Sequence, residues 1–343
     1  MILSRIILIS SLFLAIFFPP PLYARAEGEA IDEFAAIWPS PSTEKMLLAL
    51  GEGNTVVLYN RKDQSSRRLD SLQTPGSWNT FVWSPDEKRI GFKIFREGGE
   101  IPALFNLESG AIVELAPGAA AVSLPTFSIG GEVAVIAGGE LVLRGKDGDV
   151  KKRLKLEGEY SQPALSPDAS SCAVIGPHGR LKLIDLTSGE MTVILKSDTE
   201  YLSPLWSPDG KRILVRTITG ELEVLDISTG KKFDLGPGDT PAWLPDSRRV
   251  VYARNQGLIS HGQQESGIYI ADYQGHGRRE LDIGLEKDNS SVDVGLSRSG
   301  HRMSIFSRED GRVSVLSLEE KKGTLRPQKQ ELIRINLKPE SRQ

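Results

Sequence analysis

Four histidines, His178, His261, His276 and His301, and one cysteine, Cys172, are the side chains in this 343-residue sequence best suited to metal or nucleophilic chemistry. No two of the histidines stand at metal-ligand spacing along one element. They could still converge if the fold brings distant strands to one channel, but taken singly each reads as a turn or surface residue. Cys172 lies in the apolar run Ser171-Cys172-Ala173-Val174-Ile175 with no cation beside it in sequence, which suits a buried, inert thiol rather than a thiolate nucleophile. The sequence contains no Gly-x-Ser-x-Gly elbow of the hydrolase type. Gly130-Gly131 and Gly138-Gly139 separate strand-like runs, whereas a phosphate-binding loop joins a strand to a helix. Aspartates recur in Ser-Pro-Asp triplets, yet the ladder of further carboxylates that a calcium loop needs is missing. No cofactor and no metal site is implied.

The elements that would have to position any such chemistry come from an internal repeat. Trp206-Ser207-Pro208-Asp209-Gly210-Lys211-Arg212-Ile213 has a close twin at Trp83-Ser84-Pro85-Asp86-Glu87-Lys88-Arg89-Ile90. Leu165-Ser166-Pro167-Asp168 and Trp243-Leu244-Pro245-Asp246 are clear relatives, and degenerate copies begin at Trp38, Phe127 and Leu296. These anchors are separated by 45, 44, 38, 41, 37 and 53 residues, a mean of 43. That period suits a four-stranded propeller blade. Each copy runs through an apolar segment, often with proline two residues before the anchor, into a tight turn. Proline presets the turn backbone, aspartate bonds its own chain, and glycine accepts a positive φ. Three further strand-like runs follow, as in Arg212–Arg216, Leu222–Asp226 and a fourth ending at Leu235. Alternating short strands joined by hairpin turns at fixed spacing predict an all-β β-propeller of seven four-stranded blades, with six or eight as alternatives. Blades are expected to begin near residues 33, 78, 122, 160, 201, 238 and 291, within a propeller spanning 27–337 and followed by a tail at 338–343. The last strand of the seventh blade is expected in Leu332–Asn336, after a linker from Lys321 to Gln330. Four of the five tryptophans (Trp38, Trp83, Trp206 and Trp243) sit at anchors, where a large ring would pack between neighbouring blades.

The Trp-Ser-Pro-Asp-Gly-Lys-Arg-Ile repeat, followed by an apolar strand and Val-Leu-Asp-Ile-Ser-Thr-Gly-Lys, resembles the PD40 repeat of the TolB-like propellers, a WD40-like group. The resemblance is strongest at 83–95 and 163–272. It implies the propeller fold and, with the N-terminal segment described next, a place in the cell envelope. TolB itself has six blades and a separate N-terminal α/β domain. Here seven anchors are found, and about a dozen residues separate the expected cleavage site from the first of them.

Met1-Ile2-Leu3-Ser4-Arg5, the uncharged run Ile6 to Phe18, three prolines and Ala24-Arg25-Ala26 have the anatomy of a secretory signal peptide over residues 1–26. The 13-residue apolar run is short of the roughly 20 needed to span a bilayer. The chain is therefore expected in the periplasm or secreted, not spanning the membrane once the signal is cleaved. A net charge of −3 and the lack of a clustered basic footprint in the body argue against nucleic-acid partners. The basic stretch from Lys321 to Gln343 reads as a solvated tail.

By analogy with other propellers, binding would fall on the face made by blade linkers and by loops joining second to third strands. The longest such loop is Asn255–Gly267, amide-rich and far longer than Ile218-Thr219-Gly220. The candidate binding residues are Trp78, Arg96, His178, Tyr201, Asn255, Gln256, His261, Gln263, Gln264 and Glu265. The chain is expected to be a monomeric binding or scaffolding module for an envelope or extracellular protein, or for a glycan. The alternative is a propeller enzyme, a metal-dependent lyase or hydrolase acting on a sugar or lactone in the central channel.

Overall fold

The computed structural model describes residues 34–50, 55–72, 81–97, 99–195, 199–254, 267–283, 292–321 and 324–335. They form seven four-stranded antiparallel sheets, each drawn from one continuous stretch of chain and ordered as in the sequence. Blade 1 is β1 (Ala36–Pro39), β2 (Lys45–Leu50), β3 (Thr55–Asn60) and β4 (Ser65–Arg68). In blade 2, β5 (Val82–Trp83) leads to β6 (Arg89–Arg96), β7 (Gly99–Asn106) and β8 (Ile112–Glu114). Blade 3 follows with β9 (Thr126–Phe127), β10 (Val133–Ala137), β11 (Glu140–Arg144) and β12 (Val150–Lys155). Blade 4 holds β13 (Ser161–Leu165), β14 (Ser171–Ile175), β15 (Leu181–Asp185) and β16 (Met191–Leu195). Next in blade 5 are β17 (Tyr201–Trp206), β18 (Arg212–Thr217), β19 (Glu221–Asp226) and β20 (Lys232–Pro237). Blade 6 runs through β21 (Asp239–Trp243), β22 (Arg249–Arg254), β23 (Gly267–Asp272) and β24 (Arg279–Glu280). Blade 7 closes the series with β25 (Val292–Leu296), β26 (Arg302–Ser307), β27 (Val313–Lys321) and β28 (Thr324–Leu332). The seven-bladed count is the one the repeat predicts.

Antiparallel pairing puts the first and third turns of every blade on one face of the ring, the turn face. Second-to-third loops and blade linkers lie on the other, the linker face. Buried apolar residues gather in seven packets, one at each interface between neighbouring blades. A blade cannot bury its faces alone, so its core is completed only by its neighbours.

The repeat motif is accounted for on the turn face. Ser207 Oγ accepts the N–H of Arg212 at 3.0 Å and donates to Asp209 at 2.6 Å, and Asp209 accepts the N–H of Lys211. Ser84–Asp86 and Ser166–Asp168 repeat the arrangement. The fourth turn position is left-handed throughout: Gly210 has φ 70°, and Glu87, Ala169 and Ser247 hold φ of 56°, 57° and 58° without the benefit of glycine. The arginine of the motif reaches across to the next blade. Arg89 donates to the Gly131 carbonyl, Arg212 to that of Ser247, and Arg302 to that of Ser42. In blade 6 the same position, Arg249, instead pairs with Glu320 of blade 7. Tryptophans add a second tie. The indole N–H of Trp83 bonds the Trp38 carbonyl, Trp206 that of Ala164, and Trp243 that of Leu205, each on the preceding blade at 2.9–3.2 Å.

Hydrogen bonds within these turns hold several carboxyls below their ordinary value of 3.8: from Ser166 to Asp168, from the Ser188 backbone to Asp185, and from Ser228 to Asp226. A carboxyl whose folded pKa is depressed contributes stability above its unfolded pKa and loses it as pH falls through the folded one. Urea midpoints should therefore be flat above about pH 5 and fall steadily below about pH 4. A midpoint that held constant down to pH 2 would show that the turns contribute nothing through ionisation.

The C-terminus departs from expectation. Residues 324–332, read as linker and solvated tail, form the outermost strand β28, paired with β27 from Ser314↔Leu332 to Lys321↔Thr324. An outermost strand has few apolar positions to fill, so its sequence is polar, and Pro327 is tolerated there because an edge strand need not donate on both sides. Ile333 and Ile335, expected within that last strand, are buried instead against Phe34, Met46 and Val57 at the seam between blades 7 and 1.

Candidate functional site

Among the first strands of blades 4–7, β13 packs against β17 and β21 against β25. Three of them carry the same irregularity. Ser161 pairs with Ile175 and Ala164 with Ala173, so Gln162 and Pro163 together oppose one residue. Ser203-Pro204 and Thr240-Pro241 do the same in blades 5 and 6. At each bulge the residue before proline is left-handed: Gln162 at φ 50°, Ser203 at 51° and Thr240 at 43°. Proline pushes its predecessor toward extended backbone, so these are strained conformations that need outside support. That support comes from side chains crossing between blades. Gln162 Oε1 accepts the N–H of Ser203, and Thr240 Oγ1 accepts that of Val294 at 3.1 Å. The prolines are visible in the sequence; the reversed φ beside them is not.

Charges gather at the linker-face ends of the same strands. Arg216 lies 3.5 Å from Asp239, and Arg308 grips Asp293 through two bonds of 2.9 and 2.6 Å. Burial alone would lower the Arg308 guanidinium, but the bonds to Asp293 and the nearby Asp239 hold it above its ordinary range. A mouth bordered by fixed arginine and aspartate heads can hydrogen-bond a polar partner of either sign, with donors and acceptors already oriented. None of these four residues was singled out by its sequence context, because each falls outside the repeat motif.

Of the sequence-derived candidates, Arg96 and His178 are exposed on the linker face. Arg96 ends β6 and pairs with Glu114 at 2.8 Å, and His178 occupies a left-handed position at φ 60° in the turn between β14 and β15. Tyr201 is placed differently. It is fully buried between blades 4 and 5, its hydroxyl donating to Glu223 at 2.9 Å, and Glu223 in turn accepts from Lys232. Trp78, Asn255, Gln256, His261, Gln263, Gln264 and Glu265 lie outside the described residues, as does the expected signal peptide. The β22–β23 hairpin is described up to its last pair, Arg254↔Gly267. Cys172 is completely buried, and desolvation pushes its thiol up to about 12, which leaves it inert at neutral pH. Among the described residues no helix is long and apolar enough to cross a membrane.

The sequence matches no protein-family model and no curated protein. Among solved structures, a chain of the mitotic checkpoint complex superposes with a TM-score of 0.61 at 16% identity, over 90% of this chain and 97% of the other. The fold is a seven-bladed β-propeller. TolB from Acinetobacter baumannii also aligns, with a TM-score of 0.48 at 19% identity over 72% of this chain. The propeller chain spans 62% of TolB's length. At these identities the likeness concerns the fold alone.

Proposed function

We propose that the chain is exported and acts in the cell envelope as a binding module, presenting the linker face of its ring to a protein partner. One observation carries this reading: the strained, bulged inner strands of blades 4–6 and the Arg216–Asp239 and Arg308–Asp293 pairs all lie toward the linker face. The residues of the repeat motif, by contrast, are spent on turn-face bonds that hold the ring together. Strain maintained by surrounding structure is a mark of sites where geometry matters for more than stability. Arg96 and His178 stand exposed on the same face.

The test is a pull-down from envelope extract with the chain starting at Glu27. Three baits are compared: unmodified, Arg96→Ala with His178→Ala, and Lys211→Ala on the turn face as control. A partner held by the first and third and weakened several-fold in the second supports the reading. Equal capture by all three, or a loss confined to the Lys211 variant, refutes it. Mass spectrometry of the chain recovered from the envelope fraction tests export separately, through a mature N-terminus near Glu27.

A further inference from the structure

The mouth beside Arg216 and Asp239 holds polar atoms that the fold leaves unspent. The Arg216 side chain is only 14% exposed, yet it is engaged through Nε alone, with the Gly238 carbonyl at 3.4 Å and Asp239 at 3.5 Å. Neither of its Nη groups bonds a described residue, and neither is sealed from solvent. Asp239 begins β21, with its side chain 16% exposed. One oxygen, Oδ1, accepts the N–H of Thr240 at 3.1 Å, and the other accepts nothing from the described residues. Thr240 is the left-handed residue of the blade 6 bulge, so the strained backbone ahead of Pro241 also fixes the Asp239 carboxylate.

The charges around these atoms cancel. Asp239 stands against Arg216 and also acts on Arg308, whose own partner is Asp293. Two guanidiniums and two carboxylates therefore alternate along the ends of blades 5–7. An ionised group entering there meets as much repulsion as attraction, and gives up its water for no net Coulomb return. A neutral amide costs less to desolvate and uses both kinds of head at once, because its oxygen accepts while its NH2 donates. Arg216 offers the donors and Asp239 Oδ2 the acceptor, side by side. Ser203, exposed on the neighbouring β17, adds a hydroxyl that bonds no described residue.

We infer that this mouth receives an uncharged, amide-bearing segment of the protein partner, with an asparagine or glutamine side chain accepting from Arg216 and donating to Asp239. The inference rests on the reading that the linker face is the partner's face, and adds the chemistry of the segment that enters it. Balanced charge does the selecting. It gives acidic and basic segments no advantage over water, and removing either head hands the mouth to one of them.

The probe is an array of immobilised short peptides of equal length and apolar content, overlaid with the fluorescently labelled full chain. One set is rich in asparagine and glutamine, one in aspartate and glutamate, and one in lysine and arginine. The amide-rich set should bind best and change less than about twofold as salt rises, since no net charge is screened. Asp239→Asn leaves Arg216 unopposed and should raise binding of the acidic set about tenfold. Arg216→Gln leaves Asp239 unopposed and should raise binding of the basic set by as much. A folding defect lowers all three sets together, so opposite gains read charge alone. Lys211→Ala, on the turn face, should change nothing. The inference is overturned if a charged set binds the unmodified chain best, or if the two variants shift the same way. It is overturned equally if no peptide binds, including the case in which maltohexaose binds in their place. None of these outcomes alters the pull-down with the Arg96 and His178 variant, so failure of the mouth and failure of the linker-face reading are distinguishable.

Discussion

Replacing Ile333 with aspartate is expected to destabilise the ring by about 3–5 kcal/mol, the cost of placing a carboxyl in a dry apolar seam without a partner. Among the described residues, blade 1 is built wholly from the N-terminal stretch and blade 7 wholly from the C-terminal one, with no strand shared between the two ends. Closure rests on the apolar packet containing Phe34, Ile333 and Ile335, and on a few bonds across the seam. The Phe34 N–H reaches the Gly311 carbonyl and the Arg298 N–H that of Pro41, both at 2.6 Å, and ion pairs join Arg302 to Glu44 and Arg61 to Glu331. Ile333 is fully buried in that packet. Urea unfolding followed by tryptophan fluorescence measures the loss, and limited proteolysis should cut first at blades 1 and 7. A change below about 1 kcal/mol would mean the seam contributes little and that the other six interfaces hold the ring closed.

Trp243→Ala should cost about as much, 3–5 kcal/mol or roughly the usual loss for truncating a buried tryptophan. Trp243 is only 8% exposed and packs with Leu214, Val224 and Tyr252 between blades 5 and 6. Its indole N–H also satisfies the Leu205 carbonyl at 3.2 Å. Trp243→Phe keeps most of the volume and should lose only about 1–2 kcal/mol, the worth of that bond and of the carbonyl left behind. The pair of variants separates packing from hydrogen bonding. They also decide what the anchor tryptophans are for. If Trp243→Ala unfolds normally yet abolishes partner capture, the ring is a ligand platform; the buried geometry predicts the reverse.

How far the sequence reached differs sharply between the two faces of the ring. Every residue of Trp-Ser-Pro-Asp-Gly-Lys-Arg-Ile acts locally or on the adjacent blade, and its spacing is that of a turn between two strands. Ser207, Asp209 and Gly210 make their own turn, and Arg212 and Trp206 reach one blade away. Such short-range bonds recur wherever the motif does, so all-β class, blade period and blade number were legible from one chain. Cys172 was legible for the same reason, since an apolar strand without nearby cations buries its thiol.

The linker face is another matter. Tyr201 begins a blade in sequence, as a loop residue would, but its ring falls between two blades and its hydroxyl is claimed by Glu223, 22 residues away. Gln162, Ser203 and Thr240 look like ordinary residues before proline; only neighbouring strands force them into left-handed backbone. Arg308 and Asp293 meet because β25 and β26 run side by side. Strand β28 escaped notice because an outermost strand has too little to bury for its apolar alternation to show. The sequence by itself determined the repeating unit, since each unit is held by bonds that its own residues make. Tertiary structure alone decided which side chains meet across blades, because those meetings depend on the closed ring and on no local pattern.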